Sequence, residues 1–589
     1  MSDKGEVMTL EKINTPQDLK SIDINELKNL AQEIREAIIN KVNVTGGHMA
    51  PNLGIVEATI ALHYVFNSPK DKIIYDVSHQ CYPHKILTGR KEGFTDSDKF
   101  FKYTGYTAPE ECDHDLFKVG HTSTSVSLAC GVAKARDLKH ESFNVIALIG
   151  DGSLSGGEAL EGLDFGATLG TNFIVLVNDN EMSIAENYGG LYDNLKLLRE
   201  TEGKAELNFF KTLGYDYCFI KNGNDIESLI KTFEQIKDIN HPIVVHICTQ
   251  KGCGLKQAEE NKEGYHWVLP GVLNENQKQI QGETYASVTL DYILKKSKED
   301  SEVISVVAGT PGVFGFSPDI RKQLGKQYSD VGIAEEHAVA YSSALAKCGA
   351  KPILSLMSSF VQRTYDQLSQ DLCLNNSPIT MLIHWGGISG ADATHLCVFD
   401  IPMISNIPNM VYLAPTTKEE HLKMLDWAVN QTDFPVAIRV PNTELVSTGI
   451  EDTTDYSKLN RFKLESSGEK VAIIGLGNML KLAQETAKEI EFELGFKPTI
   501  INPRFITGID EDMLETLKRN HDLVITLEDG VLNGGFGEKI ARYYGPSSMK
   551  VLNLGASKEF TDRISTEELY NRYHLTKEQI TEDVKKILK

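Results

Sequence analysis

No C-x-x-C pair occurs among the nine cysteines, and the closest two are Cys248 and Cys253. An odd count at wide spacing excludes a disulfide framework and a structural zinc site. Long apolar runs are missing too: no stretch suffices to span a bilayer, and the opening M-S-D-K-G-E has no apolar signal core. These absences predict a cytoplasmic protein. Positive charge is in deficit, with 60 Lys and Arg against 82 Asp and Glu and a formal net charge of −22. Such a surface predicts no nucleic-acid partner and no anionic-membrane partner, since both are drawn to positive fields. It leaves room for a small phosphorylated ligand held by local groups. Short-period repeats are also lacking, which removes solenoid folds.

What is present is ordinary globular composition, 41% hydrophobic and 24% charged, which excludes disordered and collagen-like chains. The length of 589 residues exceeds one hydrophobic core. At roughly 150 residues per domain it suggests about four domains. Short runs rich in Val and Ile end in Gly, Asp or Asn and alternate with longer amphipathic stretches. The pattern predicts strands at 144–149, 173–177, 243–247, 303–307, 352–356, 379–383, 471–474 and 523–527. It predicts helices at 24–40, 125–137, 156–167, 337–348, 480–492 and 537–544. Buried strands alternating with helices mean parallel sheets covered on both faces, an α/β fold. Polar stretches at 274–283 and 447–467 divide the chain into three doubly wound domains, 1–275, 282–446 and 467–589.

The sharpest motif is N-V-I-A-L-I-G-D-G-S-L-S-G-G at 144–157. It places Asp151 between Gly150 and Gly152 at the carboxyl end of a buried strand, where open α/β sheets bind ligands. The next predicted strand ends in Asn178, Asp179 and Asn180. If the two strands pair, Asp151 and Asn180 converge, and a carboxylate with an amide oxygen is a hard donor set suited to Mg²⁺. Either motif alone reads as a tight turn.

On consecutive strands the two motifs resemble the signature of transketolase-like thiamine-diphosphate enzymes. Further segments resemble the 1-deoxy-D-xylulose-5-phosphate synthase family, from about Leu19 to the C-terminus. They are G-G-H-M-A-P-N-L-G-I-V-E (46–57), D-V-S-H-Q-C-Y-P-H-K-I-L-T-G-R (76–90), G-H-T-S-T-S (120–125), N-D-N-E-M-S-I (178–184), V-G-I-A-E-E-H-A (331–338) and F-V-Q-R-T-Y-D-Q (360–367). The resemblance implies three transketolase-like domains, two binding thiamine diphosphate and one C-terminal domain that supports a homodimer.

By the same resemblance, Asp151, Asn180 and the Met182 carbonyl ligate Mg²⁺. Glu335 pairs with the cofactor's aminopyrimidine and Phe360 packs on that ring. Cofactor contacts extend to His79, Gly120, His121, Ser123, Gly150, Gly152, Ser153, Ile184, Lys251 and Arg363. His48, His79, His266 and His395 match groups that bind substrate or move protons. Asp392, His395, His48 and Arg439 are the candidates for binding substrate. The implied reaction joins pyruvate, with loss of CO₂, to an aldehyde, glyceraldehyde 3-phosphate in the family.

The chain also departs from the family. H-W-G-G (384–387) stands where the family carries D-R-A-G, so Trp385 replaces an Arg that grips the acceptor's phosphate. Met357 replaces a Tyr, Pro109 another Arg, and the stretch after Ser183 is much shorter. Three readings follow: the synthase itself, a relative using a different aldehyde, phosphorylated or not, or a non-catalytic relative. Intact Asp151, Asn180 and Glu335 argue against the third.

Overall fold

The computed structural model describes residues 9–274 and 282–589. The opening M-S-D-K-G-E and most of the polar stretch at 274–283 lie outside the described residues. The chain forms two compact units, Met1–Ile280 with Gly332–Ala334, and Gln281–Val331 with Glu335–Lys589.

The first unit is built on five parallel strands: β1 (Lys72–Tyr75), β2 (Val145–Gly150), β3 (Phe173–Asp179), β4 (Asp216–Ile220) and β5 (Pro242–Cys248), in the order β1-β2-β3-β5-β4. Both faces are covered, which explains why V-I-A-L-I is apolar throughout instead of alternating. Ile146 and Leu148 enter one core with Leu30, Ile60 and Leu229. Val145, Ala147 and Ile149 enter the other with Val126, Ala129 and Leu163. The helices supplying those partners are Ile24–Thr45, Val56–Val65 and Ile226–Ile236 on one face, Ser125–Leu138 and Gly157–Gly166 on the other. Asp23 starts the first of these by accepting the N–H groups of Asn25 and Glu26, which no helical carbonyl can reach.

The second unit holds two sheets. β6 (Val303–Val307), β7 (Tyr328–Asp330), β8 (Lys351–Met357), β9 (Thr380–His384), β10 (Val411–Leu413) and β11 (Val436–Arg439) form a parallel sheet, order β10-β11-β9-β8-β6-β7. β12 (Lys463–Ser466), β13 (Lys470–Gly475), β14 (Thr499–Asn502), β15 (His521–Val531) and β16 (Lys550–Ala556) form the other, order β12-β14-β13-β15-β16. Only β12 runs antiparallel, against β14. Leu354, Met381 and Ile383 of the first sheet share one core with Ala472, Ile474 and Val524 of the second. That shared core makes the two sheets one compact unit. The polar stretch at 447–467 belongs to it, because it contains β12 and Tyr456, which is 1% exposed and donates to Asp452.

Candidate active site

The carboxyl ends of β2 and β3 are adjacent, with Gly150 in register with Asn178. The chain leaves β2 in a short 3-10 turn, Asp151–Ser155, which puts Asp151 at that edge, 1% exposed. Its carboxylate accepts the Asn187 Nδ2–H group at 2.8 Å and the backbone N–H of Asn180. Burial, with the neighbouring Asp179 charge, still pushes its pKa well above the usual carboxylate range. Asn180 Oδ1 accepts the Met182 N–H at 3.3 Å, so Asp151, Asn180 and Met182 meet in one place. Lys251 is 1% exposed and its Nζ donates to the Ser183 carbonyl at 2.6 Å; burial lowers its pKa to about 8. Gly152 is required here, since a Cβ would lie 2.8 Å from Ser183 Cα. A buried carboxylate whose charge is under-compensated, beside an amide oxygen and a lysine, fits a divalent cation carrying phosphate oxygens. Asn187 and Tyr192, whose hydroxyl donates to the Gly152 carbonyl at 3.3 Å, come from the short segment after Ser183. No motif in the sequence announced them.

Asp179, one residue earlier, is committed elsewhere. Burial raises its pKa, but His246 at 2.8 Å and Arg199 at 2.6 Å outweigh that and lower it. Asp179, His246 and Cys248 lie close enough to hold a metal, yet the arginine already neutralises the carboxylate.

Ser123 has φ 72°, a left-handed conformation that is costly for a non-glycine residue. Fully buried Asp76 holds it there, accepting the Ser123 N–H at 2.8 Å and the Ser125 N–H at 3.0 Å. The Ser123 hydroxyl donates to the Ser153 carbonyl at 2.8 Å, tying the segment that follows Gly120 and His121 to the Asp151 turn. Asp76 also begins a strained turn: Val77 and Ser78 have φ 56° and 65°. Strain of this kind persists only where the surroundings over-determine it, and it clusters at functional sites. The turn delivers His79 to a group of three histidines. Ring centroids are 4.9 Å apart for His48 and His79, 5.6 Å for His48 and His266, and 5.2 Å for His79 and His266. Burial, with Lys251 and the other two histidines, holds the His266 pKa well below its ordinary value. Its Nδ1 is sealed from solvent with no hydrogen-bond partner.

In the second unit, Glu335 opens the helix Glu335–Lys347 and is 3% exposed. Its Oε2 is buried with no hydrogen bond; Arg363 NH1 stands 3.6 Å away. Burial raises the pKa to about 7 against the opposing pull of Arg363. Phe360 shares the turn Phe360–Thr364 with Arg363, after β8, and its ring lies 5.9 Å from the His395 ring. A buried, easily protonated carboxyl with an oxygen that takes no hydrogen bond fits a heteroaromatic ring that presents a nitrogen. His395 ends the turn Ala393–His395 and donates its N–H to the Asp392 carbonyl at 2.9 Å; burial lowers its pKa to about 4.

Arg439 differs from the substrate-binding expectation. It is 4% exposed, and Asp400 and Asp529 take up its guanidinium. The Asp400 contact to Nε is 2.7 Å, and the two acids outweigh burial to raise the arginine's pKa. Its charge ties β11 to the helix Asp400–Ser405 and to β15, and it is not free to grip an anion. Arg439→Ala would leave two buried carboxylates unpaired, so urea unfolding is expected to show a loss of about 3–5 kcal/mol. The basic group at the Asp392 loop is Arg563, whose Nε lies 3.8 Å from Asp392 Oδ1. Its N–H donates to the Ala391 carbonyl at 3.0 Å, and Asp562 accepts the Ala393 N–H at 2.9 Å. Arg563 lies 171 residues from Asp392 in sequence and had no local signal.

The departures from the family take definite places. Met357 is 6% exposed, packed in a core with Val307, Ile353 and Leu382. Trp385 follows β9 at φ 65° and 48% exposure. His384 before it is 4% exposed, with Nε2 unpartnered and its pKa lowered by burial to about 3. Pro109 is exposed.

Residues 10–207 and 201–249 match the family described as 1-deoxy-D-xylulose-5-phosphate synthase. Residues 295–447 match the transketolase pyrimidine binding domain, and 460–580 the transketolase C-terminal domain. Three curated relatives bear the name 1-deoxy-D-xylulose-5-phosphate synthase. That of Dictyoglomus thermophilum is 38% identical, covering 99% of this chain and 99% of the relative. That of Carboxydothermus hydrogenoformans is 37% identical, covering 98% and 99%. That of Halothermothrix orenii is 36% identical, covering 98% and 97%. With likeness of this strength along its whole length, the chain belongs to the 1-deoxy-D-xylulose-5-phosphate synthase family.

Proposed function

We propose that this protein is a transketolase-type transferase that condenses pyruvate with glyceraldehyde 3-phosphate, releasing CO₂ and forming 1-deoxy-D-xylulose 5-phosphate. Its cofactor is thiamine diphosphate with Mg²⁺. The observation that carries the reading is Glu335: a buried carboxyl, one oxygen without a hydrogen bond, its pKa raised to about 7. A protein without this chemistry has no use for such a group, and burying it without a hydrogen bond costs stability. When bound, thiamine diphosphate supplies a carbanion and an electron sink for decarboxylation.

The chain's own residues divide the remaining work. Asp151, Asn180 and the Met182 carbonyl would hold the metal. Lys251, with Gly120, His121, Ser123, Gly150, Gly152, Ser153 and Ile184, would hold the diphosphate end. Glu335 Oε2 would hold or give a proton at the pyrimidine nitrogen, with Phe360 against the ring and Arg363 tuning the carboxyl's charge. His266, whose pKa burial holds well below its ordinary value, stays neutral and can accept a proton, and His48 and His79 stand beside it as partners in proton transfer. Asp392 and His395 would orient the aldehyde, and Arg563, 34% exposed and 3.8 and 3.7 Å from the Asp392 and Asp562 carboxylates, would supply positive charge for its phosphate. The synthase is favoured over a relative with an unphosphorylated acceptor by the full-length likeness. No helix among the described residues is long and apolar enough to cross a membrane. A homodimer in a reducing cytosol completes the proposal, and all nine cysteines are free thiols.

An acceptor panel tests the reading. With pyruvate, thiamine diphosphate and Mg²⁺, kcat/KM for glyceraldehyde 3-phosphate is expected to exceed that for glyceraldehyde by at least about tenfold, the worth of one charge-assisted hydrogen bond. Equal values for the two aldehydes would refute the phosphorylated acceptor.

A further inference from the structure

We propose that Asn52 is a positioning residue that sets the spacing of His48 and His79 through its side-chain amide. The inference rests on the proton-handling role proposed above for those histidines. Asn52 is fully buried in the short helix Ala50–Gly54. Its Nδ2 donates both hydrogens, one to the His48 carbonyl at 2.9 Å and one to the His79 carbonyl at 2.8 Å. Its Oδ1 accepts the Tyr82 N–H at 2.9 Å. One side chain thereby links two segments that carry catalytic candidates but are separated by 27 to 30 residues.

The chemistry leaves few substitutes. A carboxamide offers two donors on one atom and an acceptor on another, and all are used here. Aspartate would face two carbonyl oxygens with negative charge. An aliphatic residue would strand two carbonyls and an N–H in the interior. His266 is held by a different device. Gly47 and Val268 exchange backbone hydrogen bonds at 2.9 Å, and the Ala50 N–H donates to the Tyr265 carbonyl at 2.9 Å. Among these bonds, the link from His48 to His79 is the one that runs through a side chain. It also meets His79 where the left-handed Val77 and Ser78 deliver it, closing that strained turn from the opposite side.

The test is a mutant cycle on the full-length enzyme with thiamine diphosphate and Mg²⁺. Asn52→Ala is expected to lower kcat about 10- to 100-fold, the scale of a misplacement near 1 Å. KM for pyruvate and the affinity for thiamine diphosphate should change no more than they do in His48→Ala or His79→Ala, because Asn52 acts on the ligands only through these histidines. In a His48→Ala/His79→Ala background, the same substitution is expected to cost less than about twofold, since it acts through the residues already removed. An undiminished kcat in Asn52→Ala, or equal fold-losses in both backgrounds, would overturn the inference. If His48→Ala and His79→Ala each retain full kcat, the histidine roles fail and the inference fails with them. Should Asn52→Ala not fold, Asn52→Ser enters the same cycle, its hydroxyl able to serve one of the two carbonyls.

Discussion

Glu335→Gln is expected to lower kcat by about 10²- to 10⁴-fold, the range for losing a positioned proton-transfer group. The amide keeps the shape but cannot exchange a proton at the pyrimidine nitrogen. Binding of thiamine diphosphate, measured by calorimetry, should change far less, because Phe360 and the metal ligands are untouched. The same variant should be more stable than the parent above neutral pH. Glu335 has its pKa raised from 4.5 to about 7 by burial. Below the lower value both folded and unfolded chains carry the proton, and the group costs nothing. Between the two, the unfolded chain releases the proton while the folded one keeps it, so stability falls as pH rises and levels off above the higher value. The full cost is about 3 kcal/mol. In Glu335→Gln, urea unfolding of the cofactor-free protein should lose that slope. A parent-minus-variant stability difference that does not change across this window would contradict the carboxyl's setting, and an active Gln variant would contradict its role.

Asp151→Asn is expected to weaken Mg²⁺-dependent binding of thiamine diphosphate by at least about 100-fold. Even an outer partner of a metal ligand is worth 10- to 100-fold in metal affinity, and Asp151 is the sole carboxylate in the proposed set. Titration of Mg²⁺ into protein with saturating thiamine diphosphate, followed by calorimetry, reads the effect without turnover. The cofactor-free variant should lose no stability, because an amide in place of a carboxylate removes a buried charge whose ionisation burial opposes. An unchanged Mg²⁺ affinity would place the metal elsewhere.

Much of this fold is legible because both faces of each sheet are buried. Strands such as β2, β3, β5, β8, β9 and β13 are mostly apolar, and each overlaps a predicted strand. Among the strands that escape prediction, β7 reads Y-S-D and β12 reads K-L-E-S with an exposed pattern. They are strands because neighbours offer hydrogen bonds, which no single-segment pattern reveals. The proposed metal ligands were readable because Asp151 and Asn180 are fixed by two adjacent strand ends. Asn187, Asp76, Asn52 and Arg563 were not singled out, since each acts through a partner distant in sequence. Arg439 shows the reverse error. Its charge suggested an anion site, while Asp400 and Asp529, brought in from 39 and 90 residues away, neutralise it.

The most direct measurement is ¹³C NMR of the reaction of uniformly ¹³C-labelled pyruvate with glyceraldehyde 3-phosphate, in the presence of thiamine diphosphate and Mg²⁺. The expected result is one equivalent of ¹³CO₂ and a coupled methyl–carbonyl carbon pair in a five-carbon ketose phosphate. Labelled CO₂ appearing with no coupled pair in a ketose, or no CO₂ at all, would contradict the account.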